Sequence, residues 1–259
     1  MRTLSPIDFC IDQADHWLRR LTGTESRRPR PDAAVADTTL SASERRMSGR
    51  VMRVNHSGEV AAQALYQGQA LTARSGTLRT ALHQAAREEA DHLDWTAGRL
   101  ADLDSHRSYL NPAWYLGALV LGAAAGVAGD EWSLGFIAET ERQVVEHLAD
   151  QIAQLPAADE KSRTILSQMR SDEARHATIA MEAGGRMLPV IVREGMRLAA
   201  RAMVRAGCLQ PAAARCCVAG FFRPVALVGE SCGNTGTLEN LCRAGRTDDS
   251  RRALRAVPE

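Results

Sequence analysis

An all-α fold built on a four-helix bundle is what this sequence predicts, on three observations. Aromatic residues make up only 4% of the chain, while alanine, leucine, arginine and glutamate, all strong helix formers, are plentiful. Four long stretches of helical character run over 43–74, 77–104, 129–154 and 157–188. Breaks are clean, as where Pro156 and the run "PAADEK" part the last two. Helices of this length and number bury their apolar faces most simply against one another.

Each element has its own signal. The chain has 259 residues, 45% of them hydrophobic, which suffices for a sizeable core. Its net charge of +1 gives no case for a nucleic-acid partner. Residues 5–22 read as a short amphipathic helix, with Ile7, Ile11, Ala14, Leu18 and Leu21 near one face. No apolar run precedes the first acids, so a secretory signal is not expected. A polar, proline- and arginine-rich arm follows, completing an N-terminal region over 1–42. Ser41 or Ser43 is expected to cap the first long helix, with Glu44 in its first turn. Of six cysteines, five lie beyond residue 206, so the main body reads as a protein of a reducing compartment.

Between the second and third long helices, residues 108–129 carry no charge over 22 positions, which reaches transmembrane length. Glycine, proline and asparagine interrupt the run at Asn111, Pro112, Gly117, Gly122, Gly126 and Gly129. A crossover helix packed closely through small residues and a membrane-facing segment are both compatible with it; a full span is the less favoured reading.

The chemistry lies in a repeat. "EEADH" holds Glu89 and His92, and "DEARH" holds Glu173 and His176. Three residues turn a helix by about 300°, so each Glu-x-x-His pair lies about 60° and one turn apart, and both side chains reach a common point. Glu59 lies 30 residues before Glu89, and Glu141 lies 32 before Glu173. In an antiparallel hairpin that distance returns the chain to the same level. Two Glu…Glu-x-x-His halves, offset by 82 to 84 residues, thus place six groups in one layer of the bundle core. This is the ligand set of a di-iron or di-manganese carboxylate bundle. Four buried carboxylates without a cation would cost too much, whereas two divalent metals balance their charge. Glu139 competes with Glu141, which the offset favours only weakly; spacing to His92 selects Glu89 over Glu88. Asp172 and Asp91, each preceding a metal-binding candidate, are expected to fix imidazole tautomers. His147 is expected to take no ligand role.

The motifs "VMRVNHSGEVAAQALYQGQALTAR", "EEADHLDW", "LNPAWYLGALVLGAAAGVAGD", "SLGFIAETERQVVEHL" and "MRSDEARHA" strongly resemble the bacterial Coq7 family of demethoxyubiquinone hydroxylases. The resemblance covers roughly residues 5–206. It implies a ferritin-like bundle over 43–206, with the crossover helix and a C-terminal amphipathic helix added. It implies iron ligands, and hence catalytic residues, at Glu59, Glu89, His92, Glu141, Glu173 and His176, which settles Glu141 over Glu139. The implied cofactor is two iron ions, with dioxygen as co-substrate and NADH or the quinol itself as reductant. The implied reaction hydroxylates a polyprenyl methoxy-methyl-benzoquinol, late in ubiquinone biosynthesis. Because that substrate's isoprenoid tail lives in a bilayer, the 108–129 segment is then read as membrane-contacting. Arg186, Arg193, Arg197, Arg201 and Arg205 recur at helical spacing among apolar residues, as suits an anionic membrane surface. A peripheral protein on the cytoplasmic face of the cell membrane, in contact with a ubiquinone-biosynthesis complex, is the resulting expectation.

The segment 207–259 departs from the family. It has five cysteines, six glycines and three prolines, no Cys-x-x-Cys and little period, and is expected to be an atypical, disordered extension. Two other readings compete with the hydroxylase: a ferritin- or rubrerythrin-like protein handling iron or peroxide, and a non-catalytic quinone-binding scaffold.

Overall fold

A computed structural model describes residues 28–208; the helix expected over 5–22 and nearly all of the 207–259 tail lie outside the described residues. The described residues are all-helical: α1 (Ala42–Thr72), α2 (Gly76–Asp102), α3 (Asn111–Val127), α4 (Asp130–Gln154), α5 (Glu160–Glu182) and α6 (Val190–Cys208), with one 3-10 turn at Pro31–Ala34. The third long stretch holds as expected. The fourth is shorter: α5 stops at Glu182, where Gly184 adopts φ 99°, and Pro189 then precedes α6.

Caps fix the starts. Ser41 closes a capping box on α1: its Oγ accepts from Glu44 N at 3.3 Å, and its own N–H donates to Glu44 Oε2 at 2.9 Å. Asp159 caps α5 by accepting from Ser162 N at 3.0 Å, and the same Oδ1 takes Arg99 Nη2 at 2.7 Å. That buried pair ties α2 to the α4–α5 turn. Gly129, at φ 122°, lets the chain turn sharply from α3 into α4. The following Asp130 accepts from the backbone N–H of Arg74 and Ser75 at 3.0 and 2.9 Å, which ties α4 to the α1–α2 turn.

α1 pairs with α2, α4 with α5, and α3 crosses between the pairs, lying along α1. Glycine explains how α3 fits. A Cβ at Gly122 would stand 2.2 Å from Leu65 O, one at Gly68 would stand 2.1 Å from Leu119 O, and one at Gly126 would meet Thr72 Oγ1 at 2.0 Å. The two backbones therefore touch, so the tight crossover is what the small residues of 108–129 build. Gly122→Ala is expected to destabilise the chain by about 3 kcal/mol, the upper end for overpacking, because backbone rather than a movable side chain must yield. Urea unfolding of the variant should show a lower midpoint with an unchanged slope.

Two apolar clusters fill the bundle. Val51, Met52, Trp95, Leu100, Leu148, Ile165, Leu166 and Met169 form one, and Tyr66, Leu78, Leu82, Leu134, Ile137 and Ala180 belong to the other. Between these clusters, each of the four long helices carries buried acidic or imidazole side chains.

Candidate metal centre

The polar layer consists of Glu59 on α1, Glu89 and His92 on α2, Glu141 on α4, and Glu173 and His176 on α5, all buried. The i, i+3 spacing aims each Glu–His pair at one point. His92 Nδ1 lies 2.9 Å from Glu173 Oε1, 3.3 Å from Glu89 Oε2 and 3.5 Å from Glu59 Oε2. His176 Nδ1 lies 3.0 Å from Glu173 Oε2 and 3.4 Å from Glu89 Oε1. Glu59, Glu89, His92 and Glu173 offer donor atoms all within 4.8 Å of one another, a geometry able to hold a metal ion. Glu141 adjoins them through charge: the carboxylates of Glu173 and Glu89 both raise its pKa. Its Oε1 accepts a 2.5 Å hydrogen bond from Tyr66 Oη. Glu139 is elsewhere, accepting from Arg142 Nη2 at 2.7 Å and Gln143 Nε2 at 2.6 Å.

The outer nitrogens are held crosswise. His92 Nε2 lies 3.1 Å from Asp172 Oδ2, and His176 Nε2 lies 2.9 Å from Glu88 Oε2. Each imidazole on one hairpin is thus held by the acid that precedes the glutamate of the other hairpin. Asp172 was expected beside an imidazole and is found beside one. That imidazole is His92, across the bundle, and not the nearby His176, while Asp91 accepts from Arg28 Nε. Glu88, set aside by spacing as a ligand, is the partner of His176. Tyr66 was also missed, though it follows Glu59 by seven residues, which is two helical turns and the same face.

Electrostatics give the layer the character of a cation site. Burial, then the neighbouring acids, pushes Glu59 and Glu141 well above the ordinary carboxylate range. Burial opposes charge on both histidines, but hydrogen bonds to carboxylates win: His92 rises well above its usual value, and His176 rises to about 11. Burial pushes His147, which lies outside the converging set, down to about 4. It likewise dominates at His56, also at about 4. Protons therefore stand where cations would balance the charge. Glu89 Oε1 and Glu173 Oε1 are buried and accept no hydrogen bond, although a histidine Nδ1 is near each. Four carboxylates, two of them with an orphaned oxygen, and two imidazoles fit a pair of divalent cations.

The sign of the pH effect follows. His176 keeps its proton in the fold up to about 11, but loses it near 6.5 when unfolded. Its contribution is complete below 6.5 and is lost as pH climbs toward 11. Glu59 and Glu141 act in the same sense above their ordinary 4.5. Asp172 and Glu89, held below the usual range, act oppositely and lose their contribution only in acid. The metal-free chain is therefore expected to lose stability from pH 6.5 to 9, by up to about 1.4 kcal/mol per pH unit for each retained proton. Melting curves in chelator across that range check it; a flat or rising profile would contradict it.

A cavity of about 470 Å³ reaches the layer from one side. Leu78, Ala85, Leu134, Ile137 and Ile179 line it, and His176 and Tyr66 are at its inner wall.

Known proteins resemble this chain in sequence. The model of the family described as "Ubiquinone biosynthesis protein COQ7" matches residues 46–207. A protein named 3-demethoxyubiquinol 3-hydroxylase from Nitrosococcus oceani is 52% identical over 206 residues, covering 79% of this chain and 96% of that protein. Proteins of the same name from Nitrosomonas eutropha and Burkholderia multivorans are 52% and 53% identical, each over 77% of this chain and 96% and 97% of their own lengths. With the match spanning nearly all of the helical bundle, the chain belongs to the ubiquinone biosynthesis protein COQ7 family.

Proposed function

We propose that this chain is a monooxygenase that hydroxylates the ring of a polyprenylated demethoxyubiquinol, late in ubiquinone biosynthesis, at a pair of iron ions held by Glu59, Glu89, His92, Glu141, Glu173 and His176. The observation that carries this reading is the buried four-carboxylate, two-imidazole layer at the end of an apolar cavity. Relatives of about 52% identity carry the hydroxylase name. One atom of dioxygen replaces a ring hydrogen as hydroxyl, the other leaves as water, and NADH or the quinol supplies the two electrons.

When bound, the iron pair supplies dioxygen activation. The chain's own residues do the rest. Asp172 and Glu88 fix the imidazoles so that both Nδ1 atoms face inward. Tyr66 pins one oxygen of Glu141 and leaves the other for a cation. The two apolar clusters keep water from the layer. The cavity takes the quinol head against His176, with its walls left for the first isoprene units.

The tail's home in a bilayer supports a peripheral membrane location on the cytoplasmic face, near other enzymes of the pathway. Among the described residues, no helix is long and apolar enough to cross a membrane. α3 instead leaves Leu116, Val120, Leu121 and Val127 exposed, and the segment from Met187 through α6 exposes Val190, Ile191 (82%) and Leu198. Such rows suit insertion into the outer part of a bilayer.

The test is chemical. Cells lacking this gene should accumulate demethoxyubiquinone in their lipid extracts, and the gene should restore ubiquinone; an extract without the intermediate sinks the hydroxylase reading. Iron uptake without that phenotype would instead favour storage or peroxide handling.

A further inference from the structure

The two halves of the layer are alike in ligands but unlike in what lies behind them. Behind His176, Glu88 is partly exposed and its further partner Arg175 is on the surface, and His176 itself lines the cavity. Behind His92, its partner Asp172 is buried, and the arm that precedes α1 lies over it. Arg28 Nη2 lies 2.7 Å from Asp172 Oδ2, its Nε lies 3.1 Å from Asp91 Oδ2, and its Nη2 comes within 3.5 Å of His92 Nε2. Its guanidinium stacks 4.7 Å from the Trp95 ring centre, and Trp95 Nε1–H donates to the Arg28 carbonyl at 3.3 Å. The Trp95 ring in turn lies 5.2 Å from the His92 ring.

The arm is anchored well beyond this point. Arg30 bridges Asp32 and Asp102 at 2.6 and 2.7 Å, and Thr38 Oγ1 donates to Ala158 O at 2.6 Å. Asp91 and Asp172 come from different hairpins, and both are buried. A planar fork that donates to both in fixed directions links them as a point charge does not. Gln168 Nε2 holds the other oxygen of Asp172 at 3.1 Å, so Arg28 decides where Oδ2 points, and Oδ2 is the atom that meets His92.

We propose that Arg28 is a positioning residue of the metal centre: through Asp172 it sets the His92 imidazole with Nδ1 toward Glu59, Glu89 and Glu173, so that one metal position depends on the N-terminal arm and the other does not. This rests on the metal reading above. The experiment is anaerobic Co2+ titration of the full chain, followed by visible absorption and by competition with a chelator. The natural sequence should bind two equivalents. Arg28→Gln should weaken one by about tenfold, the lower end for loss of an outer partner, and shift its absorption band, while the other keeps its affinity. Arg28→Lys keeps the charge and carries the test if the glutamine variant does not fold; it too should bind one equivalent more weakly, since an ammonium does not fork between Asp91 and Asp172. Natural affinity and spectrum for both equivalents in either variant would overturn the role of Arg28 alone. Equal weakening of both, with a lower metal-free melting temperature, would also overturn it, as general damage to the fold. A natural chain that takes up no Co2+ would overturn the metal reading itself.

Discussion

Glu141→Gln should abolish hydroxylation and at the same time raise the melting temperature of the metal-free chain. Both effects come from one carboxylate. Glu141 is buried, and the nearby Glu173 and Glu89 oppose its ionisation. Glutamine keeps the shape, and its carbonyl still accepts from Tyr66 Oη, the bond made at 2.5 Å by Glu141 Oε1. Glutamine is neutral without the proton that the metal-free fold must hold on Glu141 and the unfolded chain gives up at neutral pH, for an expected gain of about 1 kcal/mol or more, the worth of one pKa unit. With metal the sign reverses. The layer then has three negative charges to balance two divalent ions, and one oxygen donor becomes a neutral amide. Loss of an outer partner alone costs up to about 100-fold in affinity or activity, so loss of a ligand should cost at least that. Metal analysis, melting with and without metal, and quinol turnover measured on one preparation check all parts. A variant as active as the natural chain would remove Glu141 from the ligand set.

Ala85→Phe should leave metal content unchanged and lower kcat/KM for the quinol by about 100-fold, equivalent to about 2.7 kcal/mol in the transition state. Ala85 lies on α2 one turn before Glu89, only partly buried, on the wall of the 470 Å³ cavity. A ring there can turn into open space, so the bundle need not be disrupted, yet it occupies the volume in front of His176. Steady-state kinetics beside iron analysis separates this from damage to the ligands. Unimpaired turnover would mean that the quinol reaches the layer by another route.

Five of the six residues of the layer were legible in the sequence from local geometry, because the i, i+3 spacing and the hairpin return of about 30 residues depend only on helix pitch, whereas Glu141 was settled over Glu139 by the family resemblance. The helix pairs were legible for the same reason. What lies behind the imidazoles was not. Glu88 and Asp172 reach across from the other hairpin, and Arg28 comes 144 residues before Asp172, so no local rule joins them. The 108–129 segment stayed ambiguous because small residues serve lipid contact and close helix approach equally. Gly68, Gly122 and Gly126 show the second use, and exposed Leu116 and Val120 on the other side leave room for the first. Tyr66 was legible in principle, by its seven-residue step from Glu59.

The crosswise support of the two histidines says something about the lineage of the fold. Each Glu…Glu-x-x-His half lacks the acid that orients its own imidazole and carries the one its twin requires. A half-length protein with this sequence pattern would therefore be incomplete alone and whole as a symmetric pair, each copy lending the other its acid. Joining two such copies in one gene through the crossover helix would free the halves to diverge, one gaining a sealed back and the other a door.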